Sequence, residues 1–286
     1  MRRHELTEQE WELLAPLIPR AATGRPRVAD RRVVNGMVYK IRTGISWRDL
    51  PERYGPWKTV YTRFRRYALD GVFTRALQQI QARADAAGDI DWLVQIDSTI
   101  VRAHQHAAAT GRKGGGISAG RTGRSRLGRS RGGLTTKVHL ACDGRGRPLA
   151  ILLTPGQRHD SVCARPLLER IRVPRTGAGR PRCRPDQVIA DKAYSSRGFR
   201  AYLGKRGIAH TIPEKTDQQR HRHNRGRRGG RPPGFDREAY RRRNMIERCF
   251  NRLKGFRGIA TRYEKTATSY EAAVTLASFL LWARSV

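Results

Sequence analysis

Three carboxylates in this chain stand where an acidic side chain needs a chemical reason. Glu247 lies in the window 240–254, which at helical spacing separates into three faces. Tyr240, Arg243, Asn244, Glu247, Asn251 and Lys254 form a polar stripe. Met245, Ile246, Cys249, Phe250 and Leu253 form an apolar arc, and Arg241, Arg248 and Arg252 a basic face. Asp97 sits inside the alternating run 93–101, sharing a face with Gln95 and Thr99, while Val94, Ile96 and Ile100 take the other. An acid in the middle of an apolar strand is expensive unless a cation or a metal meets it. Asp191 ends a short apolar run, and the C-terminal end of a strand is where open α/β sheets place functional groups. Each of the three also has a plain structural role open to it. Glu247 can pair with Arg243 or Asn251, Asp97 can sit in a structural ion pair, and Asp191 can cap a turn. Drawn together, however, three carboxylates cannot all stay ionised in a dry site without cations. Mg²⁺ or Mn²⁺ meets that need. Two such ions roughly 3.5–4 Å apart hold both the attacking and the leaving oxygen of an in-line phosphodiester displacement.

The elements that must position these groups follow from the hydrophobic pattern. Residues 5–85 read as helical, opening on a capping box formed by Thr7 and Glu10. Val33, Val34, Met37, Val38 and Ile41 then recur at helical spacing up to Gly44. Two short helices around Gly55-Pro56 are expected to form a helix-turn-helix, the second exposing Lys58, Thr62, Arg63, Arg65 and Arg66. Of these, Lys58, Arg63 and Arg66 are the candidate DNA contacts. From Asp91 the texture turns to strands, with 134–142 and 149–154 bracketing a hairpin turn at 143–146. Asp160 reads as the N-cap of a following helix, with His159 a donor able to reach the site. His104 and His106 read as solvated or phosphate-contacting. A further strand falls near 208–212, and 272–283 reads as a packed helix. The expected class is therefore α/β, a mixed sheet flanked by helices and preceded by a small all-α region, with a boundary between 1–88 and 89–286. Two Arg- and Gly-rich stretches, 105–133 and 215–235, read as flexible basic loops.

Composition narrows the partner. The 286 residues carry a formal net charge of +35, most of it on Arg, so a polyanion is the first partner to test. Acidic membrane surfaces would serve on charge alone, but no apolar segment reaches transmembrane length and no secretory leader is evident. Cys142, Cys163, Cys183 and Cys249 are spaced for neither a metal site nor a disulfide framework, which fits a reducing cytoplasm.

The spacing Tyr240-x2-Arg243-x3-Glu247-x6-Lys254 resembles the Y-R-E-K signature of bacterial insertion-sequence transposases. Ile96-Asp97-Ser98-Thr99 and Ala190-Asp191-Lys192-Ala193-Tyr194 look like their first and second Asp motifs. Over nearly its whole length, including Trp47-Arg48-Asp49-Leu50-Pro51 and Tyr54-Gly55-Pro56-Trp57, the chain resembles the transposases of insertion-sequence family five, in the DDE superfamily. That resemblance implies a ribonuclease H-like catalytic domain in which Asp97, Asp191 and Glu247 hold two Mg²⁺ ions (Mn²⁺ as an alternative). It further implies that Tyr240, Arg243 and Lys254 contact transposon-end phosphates. The implied activity is cleavage of DNA at the element's ends by metal-activated water, followed by joining of the freed 3′-OH to target DNA. A homodimer or higher oligomer, associated with the nucleoid, is the expected form. Two other functions share parts of this pattern. A nuclease of the same fold would hydrolyse DNA without joining it, and a repressor using the N-terminal helices would need no carboxylate triad.

Overall fold

The computed structural model describes residues 4–19, 27–108, 126–130 and 132–285. Most of the basic stretch expected at 105–133 lies outside them. Helix α1 (Glu8–Leu14) starts on the expected capping box, the Glu10 amide donating to the Thr7 hydroxyl at 3.0 Å and the Thr7 amide to the Glu10 carboxylate at 2.9 Å. Helix α2 (Asp30–Thr43) stops at Gly44, whose φ of 74° is the left-handed conformation that ends helices. Of the two short helices expected around Gly55-Pro56, only the second is an α-helix. Before α3 (Trp57–Leu69) the chain makes two single 3₁₀ turns, Trp47–Asp49 and Glu52–Tyr54. Pro51 separates the two turns and withholds an amide, and Gly55 swings the chain at φ 91°, so no α-helix can run through the segment. Helix α4 (Val72–Ala86) completes this half.

Then come β1 (Leu93–Ala103), the single turn α5 (Gln105–Ala108), β2 (Gly128–Ser130), β3 (Gly133–Cys142), β4 (Pro148–Pro155) and α6 (Ser161–Glu169). They are followed by β5 (Gln187–Ala190), α7 (Arg197–Lys205), β6 (Ala209–Thr211), α8 (Thr216–Asn224), α9 (Arg237–Arg241), α10 (Asn244–Lys254), α11 (Arg257–Ala260), β7 (Thr261–Arg262) and α12 (Ala267–Ala283). Strand β1 is the spine of the sheet. On one side it pairs antiparallel with β3, which continues through the expected hairpin turn into β4. On the other it pairs parallel with β5, and β5 with β6. The order β4-β3-β1-β5-β6, an antiparallel hairpin beside two parallel strands with helices against the sheet, is the ribonuclease H-like arrangement. Short β2 and β7 extend the rows at the ends of β3 and β1.

Two expectations need correction. The window 240–254 is not one helix: it breaks at Arg242 and Arg243, between α9 and α10. Asp236 caps α9 by accepting the amides of Glu238 and Ala239, both at 3.0 Å, and the chain then tightens into i→i−3 bonds before α10 begins. The stretch 215–235 is not wholly loop either, because α8 and a 3₁₀ turn at Gly226–Gly229 occupy most of 216–229. Helix α8 buries no residue and is held instead by Gln218, which accepts from the Ser195 hydroxyl at 2.7 Å and donates to the Ser195 carbonyl at 2.9 Å. Arg222 adds an ion pair to Glu214, and a helix anchored by polar side chains leaves no hydrophobic period to read.

The N-terminal helices share one continuous apolar core with the sheet. Helix α12 makes this possible. It is apolar on every side and almost wholly buried, packing on α3, α4 and β4. The Trp282 indole donates to the Pro148 carbonyl at 2.7 Å. A buried Lys40–Glu264 ion pair adds a second tie, between α2 and the segment after β7. A third is the close approach of α11 to α2, where a Cβ on Gly258 would lie 3.0 Å from the Ile41 Cα and carbonyl oxygen. Gly258→Ala should therefore push α2 outward at a cost of about 1–3 kcal/mol. Thermal unfolding checks this, with Tm expected to fall roughly 2–4 °C per kcal/mol; an unchanged Tm would mean the two backbones are not in contact.

Candidate active site

The site is built where one face of β1 meets α10. Ile246, Cys249, Phe250 and Leu253 are buried and seat the helix on the sheet. Gln95, Asp97 and Thr99 alternate toward it. The Ile246 amide donates to Gln95 Oε1 at 3.0 Å, Arg243 Nη2 to Asp97 Oδ2 at 2.8 Å, and Lys254 Nζ to Thr99 Oγ1 at 2.7 Å. From Gln95 to Thr99 the strand advances about 13 Å. From Ile246 to Lys254 the helix advances about 12 Å. Strand and helix therefore stay in step across the site. The Ile246 amide also reaches the Arg243 carbonyl at 3.2 Å, so the buried Gln95 side chain shares this first-turn donor and acts as a remote cap for α10.

Asp191 arrives from the neighbouring strand. Ile96 and Ala190 are the last paired residues of β1 and β5, so the next positions on the two strands are Asp97 and Asp191. Asp191 Oδ1 accepts the Ala193 amide at 2.9 Å and caps the 3₁₀ turn Lys192–Tyr194. Glu247 comes from α10, its side chain half-exposed, and joins Asp97 through a shared partner: Arg243 Nη1 donates to Glu247 Oε1 at 2.9 Å. One guanidinium thus spans two of the three carboxylates.

The electrostatics report the same convergence. Burial pushes the Asp97 carboxyl up; the Ser98 amide and Arg243 pull it back, and the charges of Asp191 and Asp160 push it further. Burial works against the Arg243 charge, but Asp97, Tyr240, Asp191 and Glu247 together outweigh it and hold the guanidinium above its ordinary value. The Tyr240 hydroxyl is raised by burial, eased by Arg243 and raised again by Asp191, Asp97 and Glu247. Among the described residues no three His, Cys, Asp or Glu side chains are gathered closely enough to hold a metal as they stand. The donor chemistry nevertheless suits a hard divalent cation, since Asp97, Asp191 and Glu247 offer carboxylate oxygens alone.

Comparison with known proteins decides the family. Residues 90–282 match the family described as the transposase DDE domain, and residues 6–77 match one described as a candidate transposase of the IS4/5 family. The chain belongs to the DDE transposase family. Its domain implies a phosphoryl-transfer enzyme. Among relatives, it is 34% identical to a candidate transposase for insertion sequence element IS6501 from Brucella ovis, over 53% of this chain and all of that protein. It is 39% identical to the uncharacterized protein y4sN of Sinorhizobium fredii, over 39% of this chain and 86% of that one. To a candidate transposase for element IS402 from Burkholderia cepacia it is 30% identical, over 56% and 68% of the two chains. A crystal structure of the Mos1 strand transfer complex overlaps 93% of this chain and 81% of that one at 11% identity. Its TM-score is only 0.24, so the fold assignment rests on the strand order.

This DDE domain gathers five of the residues singled out by spacing: Asp97, Asp191, Glu247, Tyr240 and Arg243, with Lys254 two strand positions further along at Thr99. Tyr240 does so from α9 rather than α10, its ring tilted 54° against that of Phe235 with centroids 5.1 Å apart. The candidates on α3 are not part of the cluster. Lys58 and Arg66 are exposed on that helix, whereas Arg63 is buried and bonded to Asp30 at 2.9 Å. Arg63 is therefore a structural ion pair, not a DNA contact. It falls in the middle of the buried Val60, Phe64 and Tyr67 stripe, a signal that was present in the spacing. His159 does not reach the site either, since among the described residues its ring bonds to Ser161, two positions on. His104 lies against His106 and Tyr263, away from the carboxylates.

Asp160 is the largest surprise. It precedes α6 but makes no side-chain cap bond. Its carboxylate instead accepts from the Ser98 hydroxyl at 2.7 Å and pairs with Lys137 at 3.0 Å. Tyr194 lies close by, its hydroxyl pushed well up by burial and by the charges of Asp97, Asp160 and Asp191. His139 is paired with Ser98 across the sheet, is fully buried, and shares a 2.8 Å hydrogen bond with Thr154. Burial pulls its pKa down to about 4, against the upward pull of Asp160 3.8 Å away. An unfolded histidine titrates near about 6.5, so between those values the unfolded chain binds more protons than the native one. The stability conferred by neutral His139 is thus complete above about pH 6.5 and is lost as pH falls toward 4, by up to about 1.4 kcal/mol per pH unit. Urea unfolding at pH 7 and pH 5 measures this. His139→Gln should flatten the difference, and an equal loss in both proteins would assign it elsewhere.

Proposed function

We propose that this DDE transposase binds the ends of an insertion sequence, cleaves phosphodiester bonds there and joins the freed 3′-OH ends to target DNA. What supports the reading most is the meeting of Asp97 and Asp191 on adjacent parallel strands with Glu247, tied to Asp97 through Arg243. In this proposal the three carboxylates hold two Mg²⁺ or Mn²⁺ ions, whose chemistry is activation of the attacking oxygen and stabilisation of the leaving one. No covalent enzyme intermediate is needed, because positioning and charge stabilisation carry phosphoryl transfer.

The chain's own residues then have separable tasks. Arg243, with two donors already aimed into the carboxylate cluster, offers a planar fork that a phosphate can share. Lys254 supplies a mobile point charge next to β1. Tyr240, with its hydroxyl held protonated, donates to a phosphate oxygen. Lys58 and Arg66, exposed on α3, contact phosphates further along the DNA, drawn by the net charge of +35.

Asp97→Asn and Glu247→Gln should retain binding to transposon-end DNA in a mobility-shift assay yet lose Mg²⁺-dependent strand cleavage by roughly 100-fold or more. Nicking at the wild-type rate by either variant would sink the assignment. Supplying pre-cleaved ends separates joining from simple hydrolysis, because a nuclease of the same fold would leave them unjoined. If Lys254 meets a phosphate, Lys254→Met should lower the slope of log affinity against log salt by about 1 for all DNA sequences alike.

A further inference from the structure

A short acceptor immediately before a helix ordinarily bonds an amide of the first turn, and removing such a cap typically costs about 1 kcal/mol. Asp160 forgoes that bond. Its side chain turns away from α6 to the central strand, where Oδ1 accepts the Ser98 hydroxyl at 2.7 Å and is ion-paired with Lys137 Nζ at 3.0 Å. Lys137 also donates to the Arg158 carbonyl at 2.8 Å, so the loop ahead of α6 is fixed at two points. The cross-strand register explains how these groups meet. Ser98 pairs with His139 and Ile100 with Lys137, which puts Ser98 and Lys137 on the sheet face opposite the one Asp97 presents to α10.

Ser98 connects the two faces. Its hydroxyl is held by Asp160 below the sheet, while its backbone amide donates to Asp97 Oδ1 at 2.8 Å. The other oxygen of Asp97 is held by Arg243. A carboxylate that must place its oxygens to within a fraction of an ångström is best oriented by groups that are themselves fixed, and such outer partners typically tune metal affinity 10- to 100-fold. We propose that Asp160 is a positioning residue for Asp97: together with Lys137 it anchors Ser98, so that the Ser98 amide is aimed at the Asp97 carboxylate. The inference rests on the reading of Asp97 as a metal-holding group. It assigns Asp160 no contact with DNA or metal.

Mn²⁺ binding to the full chain, followed by calorimetry and by the spin-resonance signal of free Mn²⁺, tests this apart from activity. Asp160→Ala removes the acceptor and should weaken Mn²⁺ binding about 10-fold with unchanged stoichiometry. Asp160→Asn keeps an acceptor for Ser98 and should restore most of that loss, which a purely electrostatic effect of the lost charge would not allow. Ser98→Ala leaves the backbone amide in place but cuts the tether; it should match Asp160→Ala, and the double variant should be no worse than either alone. This variant carries the test should Asp160→Ala fail to fold. Mn²⁺ affinity unchanged in Ser98→Ala, full additivity of the pair, or loss of one bound ion in Asp160→Ala would each overturn the proposal. Asp97→Asn, measured alongside, keeps the two levels distinct. If it binds Mn²⁺ like wild type, the functional reading fails as well, whereas weakened binding there beside normal binding in Ser98→Ala removes the positioning role alone.

Discussion

Two carboxylates on adjacent strands and a third on a facing helix cannot share a half-buried site unless positive charge stands between them. In this protein that charge is the Arg243 guanidinium, which bonds to Asp97 and Glu247 at once. Its position explains the local backbone. Arg243 lies at the break between α9 and α10, where the tightened turn lets its side chain reach back over β1. A continuous helix would have kept Arg243 and Glu247 on one stripe, as their spacing suggests. The break adds the reach to Asp97 and lets Tyr240 approach from a separate element.

Around that contact, polar side chains perform what apolar packing alone cannot. Packing by Ile246, Phe250 and Leu253 holds α10 against the sheet, but dispersion and hydrophobic burial are indifferent to small slides along a groove. Gln95 at one end and Thr99 at the other, each bonded to α10, set its register on β1. Polar contacts of this kind are directional, so they define where Glu247 stands relative to Asp97.

Much of this was legible in the residue pattern, and the exceptions have physical causes. The hairpin, the central strand and the apolar terminal helix are set by strong periodicity, and Asp97, Asp191 and Glu247 stood out because an acid beside an apolar run needs a partner. Arg63 has the residue type of a DNA contact but the helical position of a core residue. Its neighbours Val60, Phe64 and Tyr67 mark that side of α3 as buried, and Asp30 on α2 supplies the countercharge. Asp160 misled for a different reason. Its local sequence suits a cap, and its true partners, Ser98 and Lys137, lie 62 and 23 positions away, where no local rule can see them. The role of Gln95 was half visible: its face was evident, but the helix amide it receives comes from 151 residues further on.

The placement of α12 also bears on how the chain reaches this state. Residues 267–283 are synthesised after every strand and helix they cover, yet they fill the centre of the shared core against α3, α4 and β4. Until they leave the ribosome, the apolar faces of those earlier elements have no lasting partner. Closing the core therefore requires contacts distant in sequence, the kind whose loop-closure cost falls before the packing gain. The geometry that unites the helical half with the sheet thus also withholds a complete fold from any shortened product of translation that lacks this segment.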